Sequence, residues 1–309
     1  MSYELPGADG LSKNERREAA REKAKTLRDQ QRKKEKRSRL LIQVGVLLAF
    51  VALAAAVTVV IFTAANRPAT PGPRNMQSDG ILIGESFVAK PTAALQPGQN
   101  PVPNERDTTT DTISIQLFID YFCPVCGTFE KTNGEQISTL VDSGAATVEI
   151  FPYAILDSVS QGTKYSTRAA NAAACVADNS PDTYYAYNTV LFENQPKEGT
   201  GGLTNEELID LTKEAGVQNA AAIQKCIETE KFKTWVAEAR DRHRTEGVPN
   251  SNVDSVAGTP TVIVNGLKYT GALNDSAAFN QFVLQAANTN FNENSTSTPT
   301  PTPTPTPKK

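Results

Sequence analysis

The sequence has few of the residues that most often bind metals or transfer protons: it holds one histidine and four cysteines in 309 residues. A zinc site at Cys123 and Cys126 would need a second ligand pair. The other two cysteines, Cys175 and Cys226, are 51 residues apart and lack the close spacing of a zinc knuckle. The sequence therefore argues against a metal site, and the single histidine, His243, is expected at the surface of a helical stretch.

Charge is absent from residues 40–65, a run of 26 residues in which only Gln43, Thr58 and Thr63 are polar. A helix of this length spans about 39 Å, more than the roughly 30 Å hydrocarbon core of a bilayer. A cleaved signal peptide is the alternative, but its apolar core is normally about 7–15 residues long. Here the basic leader alone occupies 39 residues. We therefore expect one retained transmembrane helix at 40–65.

The charges on either side of this run predict an orientation. Residues 1–39 hold 13 Lys and Arg against 7 Asp and Glu, a net charge of +6, whereas residues 66–309 are net negative. Because positive flanks stay inside, we expect a single-pass cell-membrane protein with a cytoplasmic N-terminus. The extracytoplasmic part would contain all four cysteines, in a compartment where disulfides persist. The basic cluster at 32–39 is interpreted as a topology signal rather than a nucleic-acid site, so no nucleic-acid partner is expected.

Composition divides the rest of the chain into three parts. Residues 66–110 are rich in Pro, Asn and Thr, which predicts a linker with little to bury and one possible edge strand at 80–84. Residues 291–309 end in a Thr-Pro alternation that cannot form a core and is expected to be a disordered tail. The remaining residues 111–290 amount to one domain, which we expect to be monomeric.

Within 111–290 the hydrophobic period alternates between that of strands and that of helices. The order is a strand at 113–119, a helix that ends near Gly144, a strand at 146–151, a helical block at about 152–245, a hairpin around Asn265-Gly266 and a closing helix capped by Asp275. The gap between Cys126 and Pro260 far exceeds the roughly 30 residues of one βαβ unit. We therefore predict an α/β fold with an inserted helical subdomain, and the lone Trp235 is expected in the core.

The motif Cys123-Pro124-Val125-Cys126 stands between the first strand and the first helix. Cys123 is therefore expected at a helix N-terminus, where free N–H groups and the helix dipole favour a thiolate. Such cysteines have pKa values lowered from about 8.5 to roughly 3.5–7.5. Pro124 suits the first helical position, because its missing N–H costs nothing there. Cys126 lies one turn further and is predicted to resolve a mixed disulfide formed at Cys123.

Two motifs, in this order, resemble the DsbA branch of the thioredoxin superfamily. The segment Asp120-Tyr121-Phe122-Cys123-Pro124-Val125-Cys126 is similar to the family's D-Y-x-C-P-x-C segment, and Gly258-Thr259-Pro260-Thr261 resembles its G-T-P-T motif. The stretch Leu191-Phe192-Glu193-Asn194-Gln195 is also similar to one that is common in the family's helical insertion. The resemblance covers roughly 111–290, and it leaves out the leader, the anchor and the tail.

The resemblance implies a thioredoxin-like fold for 111–290, which would follow the single N-terminal membrane helix predicted from residues 40–65. It also implies disulfide exchange with secreted or cell-envelope polypeptides that have free thiols, and reoxidation by a quinone-linked membrane partner. The redox-active Cys123–Cys126 disulfide would need no further cofactor. Pro260 is expected to be cis and, with Thr259, to position the substrate chain. Strongly oxidising members carry His where this chain has Val125, and valine cannot stabilise a thiolate as an imidazolium would.

Several alternatives remain open at this point. We expect an enzyme that introduces disulfides, but a reductase or isomerase with the same fold is the nearest competitor, because direction depends on the reduction potential. A non-catalytic tethered binding module is a further alternative, although it would gain nothing from a reactive dithiol. Cys175 and Cys226 are expected to form a structural disulfide, and the alternative is a relay that passes oxidising equivalents to Cys123.

Overall fold

The computed structural model describes residues 21–28, 30, 32, 34, 43, 45–51, 53, 55, 70–106 and 110–296. The chain divides into two units, 1–68 and 69–309, and the described residues of the first unit are helical and exposed. Among the described residues, no helix has both the length and the apolar character needed to cross a membrane. Most of the segment 40–65 lies outside the described residues, so the membrane span stays a prediction.

The second unit contains a five-stranded mixed sheet in the order β1-β3-β2-β4-β5. The strands are β1 (Ile81–Ile83), β2 (Ile113–Ile119), β3 (Ala146–Pro152), β4 (Thr261–Val264) and β5 (Leu267–Lys268). Strands β2 and β3 run parallel, and the other three pairs are antiparallel. The turn between β4 and β5 is Asn265-Gly266, and both residues have positive φ, as a tight hairpin of this kind requires. The predicted hairpin is confirmed.

Helices pack against this sheet, and five of them form the long insertion between β3 and β4. They are α1 (Pro124–Asp142), α2 (Tyr165–Asn179), α3 (Tyr184–Glu193), α4 (Asn205–Glu214), α5 (Ala220–Glu228), α6 (Lys233–Thr245) and α7 (Ser276–Thr296). Short 3-10 turns lie at Glu85–Phe87, Asp157–Val159 and Pro181–Thr183. The inserted helices α2–α6 confirm the predicted helical subdomain. Helix α7 continues to Thr296, six residues into the predicted tail, and residues 297–309 lie outside the described part.

The alternation of side chains along β2 explains how the sheet is packed. Ile113, Ile115, Leu117 and Ile119 enter the main core together with the buried face of α1. Phe118 points to the opposite face, where its ring stacks on Phe151 with 4.3 Å between ring centroids. Burying one such side chain contributes roughly 1.5–3 kcal/mol, so a strand with both faces covered holds the residues that follow it firmly in place.

Residues 70–106 pack onto this unit, and the prediction of a linker with little to bury was wrong for much of this segment. β1 confirms the predicted edge strand at 80–84, but Met76, Ile81 and Ile83 are fully buried. Arg74 and Asp178 form an ion pair that attaches the segment to α2. The buried residues are too few and too widely spaced to show a hydrophobic period. The Pro-, Asn- and Thr-rich composition of the segment therefore did not reveal that it packs against the sheet.

The predicted surface position of His243 was also wrong. Its ring is buried and makes edge contacts with Phe118 and Phe151, because α6 packs on the second face of the sheet. Burial lowers the pKa of His243 to about 4. Trp235 on the same helix is buried in the main core, as expected.

Candidate active site

Cys123 is the N-cap residue of α1, directly after the turn that ends β2. Its backbone is extended, Pro124 occupies the first helical turn, and the Cys123 carbonyl accepts the hydrogen bond from the Gly127 N–H at 3.1 Å. Only 7% of Cys123 and 1% of Cys126 are exposed, whereas Val125 between them is 47% exposed. A partner can therefore reach Cys123 only at its accessible edge, and Val125 lies at the surface beside it.

The local hydrogen bonds make Cys123 acidic. Its pKa is lowered from 9.0 to about 6, chiefly by a hydrogen bond from Cys126. Burial opposes this shift, and hydrogen bonds from the Thr259 side chain and from the backbone N–H groups of Cys126 and Val125 support it. The helix N-terminus therefore contributes through two specific amides, in addition to the general effect of its dipole.

Cys126 has the opposite character. Burial raises its pKa well above 9.0, and the neighbouring Cys123 raises it further. Near neutral pH the pair thus consists of a thiolate at Cys123 and a thiol at Cys126 that donates to it. With this asymmetry Cys123 is the better leaving group of the two in thiol–disulfide exchange, because a thiolate of low pKa leaves faster.

The Thr259-Pro260 peptide bond is cis and lies beside the cysteine pair. The position follows from the sheet: Thr261 in β4 is paired with Phe118 in β2, so the residues before β4 and those after β2 meet at one end. The thiol of Cys123 lies 3.5 Å from the Thr259 carbonyl oxygen, to which it can donate. The two predicted motifs are therefore in contact.

Asp120 shapes the turn between β2 and α1. Its side chain is buried and accepts hydrogen bonds from the backbone N–H groups of Phe122, Ile155 and Leu156, at 2.8–3.0 Å. Burial raises the pKa of this carboxyl group, and these hydrogen bonds oppose the shift. Asp120 thus joins the reactive turn to the segment that follows β3. The motif contained this residue, but the sequence did not reveal its partners.

A chain of polar side chains leads from the reactive turn to α1. The Tyr121 hydroxyl lies 3.3 Å from that of Tyr184 and donates to Asn188 at 3.2 Å. Asn188 in turn donates to the Glu130 carboxylate at 3.4 Å. Burial raises the pKa of Glu130 to about 7. Sequence reasoning missed this network, because its members are up to 67 residues apart in the chain.

Gln195, just after α3, also reaches the reactive turn. Its amide nitrogen donates to the carbonyl oxygens of Tyr121 at 3.1 Å and of Cys123 at 2.9 Å. Gln195 belongs to the stretch 191–195, the third on which the family resemblance rests. That stretch was the only sequence signal for Gln195, and it indicated no role for the residue. The helical insertion therefore contacts the backbone of the reactive cysteine directly.

A cavity of about 810 Å³ opens beside the motif, between α1 and α3. Its lining includes Pro124, Gly127, Glu130, Phe192 and Gln195. The cavity thus borders the first turn of α1 on the side of the insertion and is large enough to hold several side chains of a bound chain.

Cys175 and Cys226 form a disulfide with each other, joining α2 to α5 with 5.8 Å between their Cα atoms. Both are buried. Because each is the other's partner, they do not provide a second ligand pair for Cys123 and Cys126, which are free thiols.

The comparisons with known proteins agree with this geometry. The family model described as thioredoxin matches residues 110–283, more than half of the chain. DsbA from Mycobacterium tuberculosis is 31% identical; the match covers 71% of this chain and all of that one, with a TM-score of 0.49. The disulfide oxidoreductase DsbG from the same organism is 29% identical; that match covers 70% of this chain and 94% of that one, with a TM-score of 0.50.

A third relative is a kinase. Serine/threonine-protein kinase PknE from Mycobacterium tuberculosis is 33% identical over 112 residues, which are 35% of this chain and 20% of the kinase. This chain thus matches about a fifth of the length of the curated relatives.

An acidic cysteine and a second cysteine of raised pKa, set at a helix N-terminus beside a cis-proline, are the arrangement that a thiol–disulfide oxidoreductase requires. The chain belongs to the thioredoxin family and, within it, to the DsbA-like thiol–disulfide oxidoreductases.

Proposed function

We propose that this protein introduces disulfide bonds into polypeptides outside the cytoplasm, with Cys123 as the reacting cysteine and Cys126 as the resolving one. The observation that carries the proposal is the contrast between the two pKa values, about 6 for Cys123 and well above 9.0 for Cys126. A stable Cys123 thiolate favours the reduced enzyme, so the oxidised enzyme tends to take electrons from its substrate.

The reaction proceeds in two exchanges. A substrate thiolate attacks Sγ of Cys123 in the oxidised enzyme, the Cys123–Cys126 bond breaks, and its electron pair leaves with Cys126, which takes up a proton because its pKa is high. A second substrate thiolate then attacks the substrate sulfur of the mixed disulfide, and Cys123 leaves as a thiolate. The substrate loses two electrons and gains a disulfide, and the enzyme ends as the dithiol.

The size of the effect follows from the acidity of Cys123. Near pH 7 a thiol with a pKa of about 6 rather than 9.0 stabilises the reduced enzyme by about 1.4 kcal/mol. For a two-electron couple this raises the potential by about 30 mV. The contribution supports an oxidase, but it is smaller than the roughly 150 mV that separates thioredoxin from DsbA.

The cis-Pro260 loop would hold the substrate. With Thr259 it presents backbone groups beside Cys123, where an extended substrate chain could pair with them. The substrates are expected to be secreted or cell-envelope polypeptides with free thiols, presented to a domain tethered by residues 40–65. Reoxidation by a quinone-linked membrane protein would complete the cycle, and no cofactor beyond the cysteine pair is proposed.

Equilibration with glutathione buffers tests the direction. A potential near −120 mV would support the oxidase, and one near −270 mV would overturn it in favour of a reductase. Val125 is the observation that favours this second candidate, because it leaves the thiolate without a neighbouring imidazolium.

The roles of the two cysteines are tested separately. Cys123→Ser should abolish exchange with a reduced unfolded protein, and Cys126→Ser should accumulate mixed disulfides that can be detected by mass spectrometry. If Cys123→Ser kept its activity, the assignment of Cys123 as the reacting cysteine would be wrong.

A further inference from the structure

Gln195 uses both N–H groups of its amide on the reactive turn. One bond goes to the Tyr121 carbonyl at 3.1 Å and the other to the Cys123 carbonyl at 2.9 Å. These two carbonyls flank Phe122, so a single side chain from the helical insertion fixes the backbone on both sides of that residue. The Cys123 carbonyl is also the acceptor of the hydrogen bond from Gly127 in α1.

The first turn of α1 is shaped to admit this side chain. A Cβ atom added to Gly127 would overlap Oε1 of Gln195 and lie 3.0 Å from its Cδ. Gly127 does not have a positive φ, so its backbone does not require glycine. Glycine inside a helix is less favourable than alanine. We therefore attribute the glycine at position 127 to the space that the Gln195 side chain occupies.

The acidity of Cys123 depends on where this turn is held. The backbone N–H groups of Val125 and Cys126 lower its pKa only while they point at Sγ, and their direction is set by the position of the Cys123 backbone. We infer that Gln195 is a positioning residue for disulfide exchange: through the Tyr121 and Cys123 carbonyls it holds the reactive turn so that the helix amides face the Cys123 sulfur. This inference rests on the proposed role of Cys123 as the cysteine that reacts with the substrate.

The first experiment measures the pKa of Cys123 in the full-length Gln195→Ala variant, from the pH dependence of its alkylation by iodoacetamide. We expect a rise from about 6 to about 7, with a matching loss of thiolate near neutral pH. The matched control is Asn194→Ala. This neighbour also loses an amide, but among the described residues that amide donates only to the Val190 carbonyl of the preceding helix.

A second variant distinguishes two roles for Gln195: positioning the turn at Cys123, or only attaching the helical insertion to the rest of the domain. Gly127→Ala should displace Gln195, because the atom it meets is the end of a flexible side chain, and should raise the pKa of Cys123 as Gln195→Ala does. In the Gln195→Ala background the same change should add nothing to the pKa and should stabilise the helix.

Two results would overturn the inference. One is a Cys123 pKa that stays near 6 in a folded Gln195→Ala protein, and the other is a pair of additive shifts in the double variant. Failure of the proposed function would look different. Cys123→Ser would then remain active in disulfide exchange, while Gln195→Ala and Gly127→Ala would still raise the pKa of Cys123.

Discussion

Removing the Thr259 hydroxyl group gives a direct measure of what the cis-proline loop contributes to the reactive thiol. Thr259→Val keeps the branched Cβ and the carbonyl group, and deletes the hydroxyl group that lowers the pKa of both thiols. A hydrogen bond to a charged group is worth about 1.5 kcal/mol, which corresponds to about one pKa unit. The pKa of Cys123 should therefore rise from about 6 to about 7.

This shift has a consequence for the reduction potential. Near pH 7 the stabilisation of the reduced enzyme by the thiolate would fall from about 1.4 to about 0.4 kcal/mol, which lowers the potential by about 20 mV. The pKa is measured by the pH dependence of Cys123 alkylation, and the potential by equilibration with glutathione. Cys126 does not interfere, because its pKa lies well above 9.0 and the loss of the same hydroxyl raises it further.

Thr261→Val is the matched control. The Thr261 hydroxyl is two residues away and donates to the Gly258 carbonyl at 2.8 Å. The same chemical change at the first residue of β4 should leave the pKa of Cys123 near 6. Equal shifts in the two variants, or no shift in Thr259→Val, would refute the assignment of the thiolate donor.

Three further outcomes are expected. Val125→His should lower the pKa of Cys123 below 6 and raise the potential, and this gain should disappear above the pKa of the new histidine. Replacing Cys175 and Cys226 by alanine removes a 51-residue loop closure worth about 4 kcal/mol, so the melting temperature should fall by about 10 °C, as calorimetry would show. Glu130→Gln should stabilise the protein by about 1–3 kcal/mol above pH 7 but not below pH 4.5, as measured by urea unfolding. The sign follows because the folded pKa of Glu130, about 7, lies above its ordinary 4.5, so stability falls as pH rises through that window.

Much of the fold could be predicted because its signals are local. The run Ile113–Ile119 and the helix start at Pro124 are visible in the hydrophobic period and in helix-start chemistry. Gly144 ends α1 with φ of +73°, a conformation that favours glycine, and Asn265-Gly266 makes the hairpin turn. In each case one or two residues decide the backbone, so the sequence alone is sufficient.

The parts that could not be predicted depend on partners far away in the chain. His243 has polar neighbours in sequence, and only the packing of α6 on the sheet buries it. Gln195 is 72 residues from Cys123, and nothing at either position indicates that they touch. The direction of the reaction could not be predicted from the sequence either. It depends on the difference in stability between the oxidised and the reduced enzyme, and about 1.4 kcal/mol of that difference changes the reduction potential by about 30 mV.

The most direct test of the central claim is titration of both thiols in the full-length dithiol protein, followed by the ultraviolet absorbance of the thiolate and by residue-specific alkylation. The expected result is one thiolate at Cys123 with a pKa of about 6 and a second at Cys126 well above 9.0. A Cys123 that titrates near 9.0, or a Cys126 that ionises first, would contradict it.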